Sequence, residues 1–273
     1  MPTATNDGVH ITYDDHGPAD APAVLLLHGF PDSAAMWRHQ VEALVGAGYR
    51  VLVPDQRGYG RSDKPADVDS YNLILLGTDA LAVLDDAGVA TARVVGHDWG
   101  APVAWLVATM APDRVAQLVA MSVGHPSAFS NASLEQRQRS WYMLLFQFEG
   151  VAERWLSDDG WARLREWADH PDHDATTAAL DADGSLTPGL NWYRANVAPS
   201  SLVEPAPVLP PIQVPTMGIW SSGDMALLED QMIRSADHCA NGFRYERVEG
   251  VGHWIPLSAP DRVNELLLDF FAS

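Results

Sequence analysis

The chain has 273 residues, 47% of them hydrophobic, and 36 acidic against 17 basic residues give a formal net charge of −19. This composition predicts a folded domain with a large core and excludes wholesale disorder. The negative charge argues against nucleic acid and anionic membranes as partners, because their phosphates would be repelled. The lone Cys239 excludes an internal disulfide. Neither metal-ligand spacing nor a phosphate-binding loop is present, so we expect no metal and no cofactor.

The N-terminal residues give no sign of a targeting segment. Residues 1–8 are polar and lack the basic and apolar regions of a signal peptide. Nowhere does the chain approach the ~20 consecutive apolar residues of a membrane span. We therefore expect a cytoplasmic protein that does not bind membranes.

Short apolar runs alternate with helix-length amphipathic segments in the first half of the chain. The predicted buried strands are residues 23–27, 51–53, 94–95 and 115–123, and the predicted helices are residues 35–45 and 73–87. Because strand and helix alternate, the pattern predicts an α/β fold with a mostly parallel central sheet and right-handed crossovers.

The alternation stops after Val123 and resumes near the C-terminus. Residues 126–207 are rich in tryptophan and helical patterns, whereas strands are predicted again at 215–220 and 243–248, followed by a helix at 261–271. We therefore predict a helical cap (126–207) inserted between two parts of one core domain (1–125 and 208–273). Several prolines, Pro205 and Pro207 among them, mark the return to the core.

Asp98 lies between Gly96 and Gly100, where a predicted strand passes into a helix. This spacing matches the G-x-nucleophile-x-G elbow of α/β hydrolases, a strained turn that raises one side chain above the sheet. The glycines are needed because strand and helix backbones approach closely there. The elbow predicts an α/β-hydrolase fold with helices flanking the sheet.

The elbow carries an aspartate where a serine is usual, and this changes the predicted chemistry. A serine attacks a carbonyl carbon after a base removes its proton. A carboxylate, ionised at neutral pH, can instead displace a leaving group from saturated carbon and form an alkyl ester. Water then hydrolyses that ester at the carbonyl of the enzyme. Asp98 therefore predicts either epoxide opening or carbon–halogen cleavage.

Two residues late in the chain suit the other positions of a catalytic triad. His253 lies in Gly-Val-Gly-His-Trp after the last predicted strand, where it would activate water as a general base. Asp224 follows the preceding strand, where it would orient His253. The alternative position for the acid, after the strand that ends near Val123, has no carboxylate.

The loop after the first buried strand reads His-Gly-Phe-Pro. In this fold the backbone N–H of Phe30 and that of Trp99, the residue after the nucleophile, would form an oxyanion hole. Pro31 is a candidate for a cis peptide bond.

The motifs HGFP, DQRGYGRS, GHDWG and GHW occur in that order. With them the sequence resembles the soluble epoxide hydrolase branch of the α/β-hydrolase superfamily, which is related to the haloalkane dehalogenases. The resemblance implies conversion of an epoxide to a vicinal diol through a covalent ester on Asp98, with no cofactor. It also implies a small, neutral, mostly apolar substrate and water as the second substrate.

The resemblance extends to two segments of the predicted cap, and the ring-opening tyrosines of the family fall on Tyr142 and Tyr193. A phenol can donate a hydrogen bond to the epoxide oxygen as negative charge develops on it. We also expect Trp141, Trp192 and His125 to contribute to the substrate pocket.

Two other kinds of function remain open. A dehalogenase would use the same nucleophile and Trp99, but Phe30 stands where such enzymes often have asparagine, and no arginine follows Asp98 to bind a haloacid. A hydrolase fold retained for ligand binding would be expected to have lost part of this machinery.

Overall fold

An eight-stranded sheet runs through the protein. The computed structural model describes residues 1–129, 132–202 and 209–273. Its strands are β1 (Thr3–Asn6), β2 (Val9–His16), β3 (Ala23–Leu27), β4 (Arg50–Pro54), β5 (Ala92–His97), β6 (Val115–Met121), β7 (Thr216–Ser221) and β8 (Phe243–Val248). Their spatial order is β1-β2-β4-β3-β5-β6-β7-β8. β2 pairs antiparallel with β1 and β4, and every other pairing is parallel.

Helices connect the strands and flank the sheet. They are α1 (Arg38–Gly46), α2 (Leu73–Asp86), α3 (Gly100–Met110), α4 (Pro126–Phe129), α5 (Leu134–Arg139), α6 (Trp141–Leu145), α7 (Val151–Ala168), α8 (His173–Asp183), α9 (Leu186–Asn196), α10 (Glu229–Arg234), α11 (Ile255–Ser258) and α12 (Pro260–Phe271). Short 3₁₀ helices lie at Ala34–Trp37, Val68–Tyr71, Pro112–Arg114, Pro199–Leu202 and Ser235–His238. α1 packs with α12, and α2 packs with α3. The predicted α/β-hydrolase fold is confirmed.

The central strands are buried on both faces, as their sequences predict. Every residue of β3 and β4 is buried, including Arg50, whose guanidinium is bound by Asp15. The edge strand β8 is only half-buried and carries charged side chains such as Arg244 and Glu246. Charges on an edge strand discourage further pairing, so the sheet ends there.

The N-terminal hairpin of β1 and β2 is not among the predicted elements, the first of which is the strand at 23–27. β1 and β2 pair with Asn6 opposite Val9, so Asp7 and Gly8 form a two-residue turn, and both have positive φ. Ile11 is buried while its neighbours in β2 are more exposed. An Asp-Gly turn followed by alternating apolar residues is a typical hairpin signal, and it was available in the sequence.

A helical segment, α4 to α9, joins β6 to β7, and within the described residues no strand interrupts it. Its longest helix, α7, is broken at residues 158–161, where Asp159, Gly160 and Trp161 all have left-handed backbone angles. The predicted boundary at 207/208, with Pro205 and Pro207, lies outside the described residues. The division into core and cap stays a prediction.

None of the helices in the described part of the chain is long and apolar enough to cross a membrane. The cytoplasmic location remains a prediction.

Candidate active site

Asp98 stands at a sharp turn between β5 and α3, and its backbone is left-handed with φ of +51°. A Cβ on Gly96 would collide with the carbonyl of Gly100, and a Cβ on Gly100 would collide with the carbonyl of Leu27. Only glycine fits at either position, because the strand and the helix pass so close together. The turn thus holds Asp98 at the carboxyl edge of the sheet, as the elbow pattern predicts.

The structure brings Asp98, His253 and Asp224 into contact. His253 Nε2 lies 3.3 Å from Asp98 Oδ2, and His253 Nδ1 lies 2.8 Å from Asp224 Oδ2. All three side chains are buried. Because the imidazole connects the two carboxylates, it can take a proton on the side of Asp98 while Asp224 fixes its orientation.

Backbone groups hold Asp224. Its Oδ1 accepts hydrogen bonds from the backbone N–H groups of Ala226 and Leu227, both at 2.9 Å. Burial alone would raise the pKa of Asp224, but the charge and hydrogen bond of His253, with these N–H groups, hold it below its ordinary value. Asp224 is therefore an anion at neutral pH, with one oxygen fixed by backbone and the other directed at the histidine.

The backbone of His253 is fixed by two further side chains. Its carbonyl oxygen lies 2.9 Å from His97 Nε2 and accepts a hydrogen bond of 3.2 Å from Ser122 Oγ. Burial is the main reason why the pKa of His97 falls to about 4. A neutral His97 whose Nε2 carries the proton suits this contact.

The protonation of His253 depends on the carboxylates around it. Burial alone would lower the pKa of His253, but the charge and hydrogen bond of Asp224, with a further contribution from Asp98, raise it to about 10. The imidazole therefore carries a proton at neutral pH in the resting protein. Esterification of Asp98 would remove one of the two negative charges, so the pKa of His253 would fall and the ring would become a better base.

Titration of the His253 ring resonance by NMR should reveal this dependence. We expect a midpoint near pH 10 in the wild type, because Asp224 favours the protonated ring. In Asp224→Asn the midpoint should drop below about 8, since the main favourable charge is lost. Asp261→Asn, which replaces an exposed aspartate in α12, is the control and should leave the midpoint unchanged. An unchanged midpoint in Asp224→Asn would contradict the assignment of Asp224.

The two oxygens of Asp98 have different surroundings. Oδ1 accepts a hydrogen bond of 2.8 Å from the backbone N–H of Phe30, as the oxyanion-hole prediction requires. Oδ2 faces His253. The Phe30–Pro31 peptide bond is cis, as expected. Among the described residues the backbone N–H of Trp99 makes no corresponding bond to Asp98, so its part in the oxyanion hole stays a prediction.

Tyr142 from α6 and Tyr193 from α9 are brought together, with ring centroids 6.0 Å apart. Both are almost completely buried. Burial, with the negative charge of Asp98, raises the pKa of each phenol well above its ordinary value, so both hydroxyls keep their protons at neutral pH. The Trp99 ring packs edge-on against that of Tyr193, with centroids 5.0 Å apart. The Tyr142 hydroxyl makes no hydrogen bond with the described residues.

Asp98 and the two tyrosines line one cavity of about 180 Å³. Asp98 comes from the sheet edge and the tyrosines from the helical segment, so the cavity lies between these two parts. A carboxylate and two phenols therefore line the same small and largely apolar space.

The three other predicted pocket residues do not line this cavity. Trp141 is 44% exposed and packs against Trp155 on the outside of the helical segment. Trp192 is completely buried, and its indole donates to the Arg57 carbonyl. Trp141 and Trp192 directly precede Tyr142 and Tyr193. Their side chains point away from the cavity because the side chains of adjacent residues in a helix are about 100° apart.

His125 is buried behind the cavity wall. Its ring stacks on His238 with centroids 4.5 Å apart, and its backbone N–H donates to Ser235. Burial lowers the pKa of His125 to about 4, so the ring is neutral at pH 7. Gly124 and Pro126 line the cavity while the imidazole between them turns into the core.

A buried polar network next to the site was missed by sequence reasoning. Asp32 accepts a hydrogen bond of 3.0 Å from the Trp254 indole and lies 3.1 Å from His170 Nε2. Trp254 follows His253 and packs edge-on against its ring. Asp32 thus connects the Phe30 loop, the residue after the predicted base and the helical segment. In the sequence, the position of Asp32 directly after His-Gly-Phe-Pro is the one feature that indicates a role near the site.

No group of three or more histidine, cysteine, aspartate or glutamate side chains in residues 1–129, 132–202 and 209–273 is arranged to hold a metal ion.

The family model for the α/β-hydrolase fold matches residues 22–260. The chain therefore belongs to the α/β-hydrolase family. Among its relatives, the AB hydrolase superfamily protein YfhM of Bacillus subtilis is 33% identical over 276 residues, covering 97% of this chain and 95% of the relative.

Other relatives are named as epoxide hydrolases. Epoxide hydrolase A of Mycobacterium tuberculosis is 33% identical over 314 residues, covering 97% of this chain and 94% of the relative. The crystal structure of epoxide hydrolase A from Mycobacterium thermoresistibile has a TM-score of 0.81 at 30% identity, covering 100% of this chain and 99% of that one. An inhibitor complex of the Bacillus megaterium epoxide hydrolase has a TM-score of 0.90 at 26% identity, covering 99% of this chain and 100% of that one. The predicted resemblance to epoxide hydrolases is confirmed.

Proposed function

We propose that the protein hydrolyses epoxides to vicinal diols through a covalent ester on Asp98. One observation carries the proposal: the buried hydroxyl-bearing side chains of Tyr142 and Tyr193 line the same small cavity as the Asp98 carboxylate. This arrangement suits an epoxide, because its carbon needs a nucleophile while its oxygen needs a proton donor. The epoxide hydrolases among the relatives support the same activity.

In the first step Asp98 Oδ2 attacks one ring carbon. The carbon–oxygen bond of the ring breaks, and the departing oxygen takes a proton from a tyrosine hydroxyl. Tyr142 and Tyr193 are suited to this task because both remain protonated at neutral pH. Oδ1 stays bound to the Phe30 N–H. The product of the step is a hydroxyalkyl ester of Asp98.

In the second step water attacks Cγ of the ester. The proton that His253 carries in the resting protein first passes through solvent to the tyrosinate of the first step and restores the phenol. The neutral ring, held by Asp224, then takes the proton of the attacking water. Negative charge develops on Asp98 Oδ1, where the Phe30 N–H already donates a hydrogen bond and the Trp99 N–H is predicted to join it. Collapse of this intermediate breaks the bond to the alkyl oxygen, which takes the hydroxyl proton of the new Asp98 carboxyl group and leaves as part of the diol. Asp98 is then again a carboxylate, and His253 again carries a proton.

The dehalogenase alternative is less well supported. A departing halide needs more than one N–H donor. Trp99 is the one tryptophan in the cavity wall among the described residues, and Phe30 offers no side-chain donor. Halide release from a bromoalkane, without diol formation from an epoxide, would support this alternative. A protein retained only for ligand binding would turn over neither compound.

Phenylalanine substitutions test the proposed acids. Tyr142→Phe and Tyr193→Phe should each lower kcat for styrene oxide by about 10- to 100-fold, and the double variant by at least about 10³-fold, because one donor partly compensates for the other. Diol formation is measured by chromatography. Tyr59→Phe is a matched control, since Tyr59 is buried outside this cavity and its hydroxyl has no hydrogen-bond partner among the described residues. A double variant with near wild-type kcat would overturn the roles of both tyrosines.

A further inference from the structure

The cavity has one polar end and apolar walls. Asp98, Tyr142 and Tyr193 form the polar end, and the walls include Leu73, Val123, Phe129, Met143 and Leu227. Asn196 also lines the wall, but its side-chain amide is already hydrogen-bonded within the protein. Its oxygen accepts from the Leu73 N–H, and its nitrogen donates to the carbonyls of Tyr71 and Trp192. The part of a ligand that extends beyond this polar end would therefore contact apolar side chains.

No arginine or lysine from the described residues faces the cavity, and the protonated ring of His253 lies between the carboxylates of Asp98 and Asp224. Residues 130–131 and 201–208 contain no arginine or lysine in their sequence either. Two arginines on nearby helices are engaged elsewhere. Arg139 donates to the Asp224 carbonyl, and Arg194 forms an ion pair of 2.9 Å with Glu153. The one cation of the triad is thus already paired with two carboxylates, and the described residues offer no further cation to balance a negative charge on a ligand.

A ligand carboxylate would also meet unfavourable charges. Asp98 is an acid in the wall itself, and Asp224 lies behind His253. An anion that enters such a site loses its hydration without a compensating partner. It is also repelled by the fixed carboxylates in a medium of lower dielectric than water. A neutral ligand incurs neither cost.

The size of the cavity limits the ligand further. Its volume is about 180 Å³. An apolar cavity of about 150 Å³ is known to hold benzene. One six-membered ring together with an epoxide group therefore fills the space.

We propose, on the basis of the hydrolase function proposed above, that the site selects neutral monosubstituted epoxides with one ring or a short hydrocarbon chain. It rejects epoxides that carry a carboxylate, and it disfavours epoxides with a ring on each carbon.

A matched pair of substrates tests the charge selection. 4-Nitrostyrene oxide and 4-carboxystyrene oxide have nearly the same shape, but only the second is an anion at pH 8. The wild type should hydrolyse the nitro compound with a kcat/KM at least about 100-fold higher. Values within threefold of each other would overturn the proposal. trans-Stilbene oxide tests the size limit and should have a kcat/KM at least about tenfold below that of styrene oxide.

A charge placed in the wall should reverse the preference. Met143 is a half-buried wall residue. Met143→Arg should raise the carboxylate-to-nitro ratio of kcat/KM by at least about tenfold, because the new cation pairs with the ligand. Met143→Gln, which has a similar length and no charge, should leave this ratio unchanged. Equal ratios in the two variants would contradict the charge explanation.

Binding of the matching diols separates the two proposals. Quenching of tryptophan fluorescence measures the affinity for each diol without turnover. Neither epoxide is hydrolysed in one outcome, while the nitro diol binds at least about tenfold more tightly than the carboxylate diol. The proposed hydrolase activity is then wrong, and the proposed preference for neutral ligands is supported. If both epoxides are hydrolysed equally well, the proposed hydrolase activity is supported and the proposed preference for neutral ligands is wrong.

Discussion

Replacing Asp98 by asparagine should lower kcat for styrene oxide by at least about 10⁴-fold, because the variant has no carboxylate to form the ester. The fold should persist. Asparagine tolerates the left-handed backbone of this turn as aspartate does, and its side-chain oxygen can still accept the Phe30 N–H. Steady-state diol formation and the circular dichroism melting curve measure the two effects.

The control for this variant is the same substitution elsewhere. Asp7 is exposed and has a similar backbone conformation, with φ of +50°, in the N-terminal hairpin turn. Asp7→Asn should retain wild-type activity. If Asp98→Asn keeps more than about a tenth of the wild-type kcat, Asp98 is not the nucleophile.

His253→Gln should stop the reaction after its first step. Asp98 can still open the ring, but no base remains near Oδ2, from which His253 Nε2 is 3.3 Å away. Steady-state turnover should fall by at least about 10³-fold, while one equivalent of alkyl-enzyme accumulates. Intact-protein mass spectrometry should therefore detect an increase equal to the mass of one styrene oxide.

The double variant Asp98→Asn/His253→Gln is the control, and its mass should not increase. An unmodified His253→Gln protein, under conditions in which the wild type is active, would count against His253 as the base of the second step.

That Asp98, His253 and Asp224 meet could be predicted because local patterns in the chain mark their positions. Gly96 and Gly100 identify the turn at Asp98, since no other residue fits between strand and helix there. His253 and Asp224 follow from their places after two strands that meet at the same edge of the sheet. Such short-range patterns need no knowledge of tertiary packing.

The direction of side chains in the helical segment could not be predicted in the same way. Trp141 and Tyr142 are neighbours in sequence, but only Tyr142 turns inward. Which face of a short helix is buried depends on partners such as Trp155 and Trp167, which lie more than ten residues away. Asp32 and His170 are 138 residues apart in sequence, so no local sequence pattern predicts their contact.

The most direct test of the account is a single turnover in water labelled with oxygen-18, with enzyme in excess over styrene oxide. The covalent mechanism predicts that the label enters the carboxylate of Asp98, because water attacks the carbonyl carbon of the ester. The diol of this first turnover should contain only unlabelled oxygen, one atom from the epoxide and one from Asp98. Peptide and product masses measure both. Label in the first diol, with none in Asp98, would contradict the mechanism.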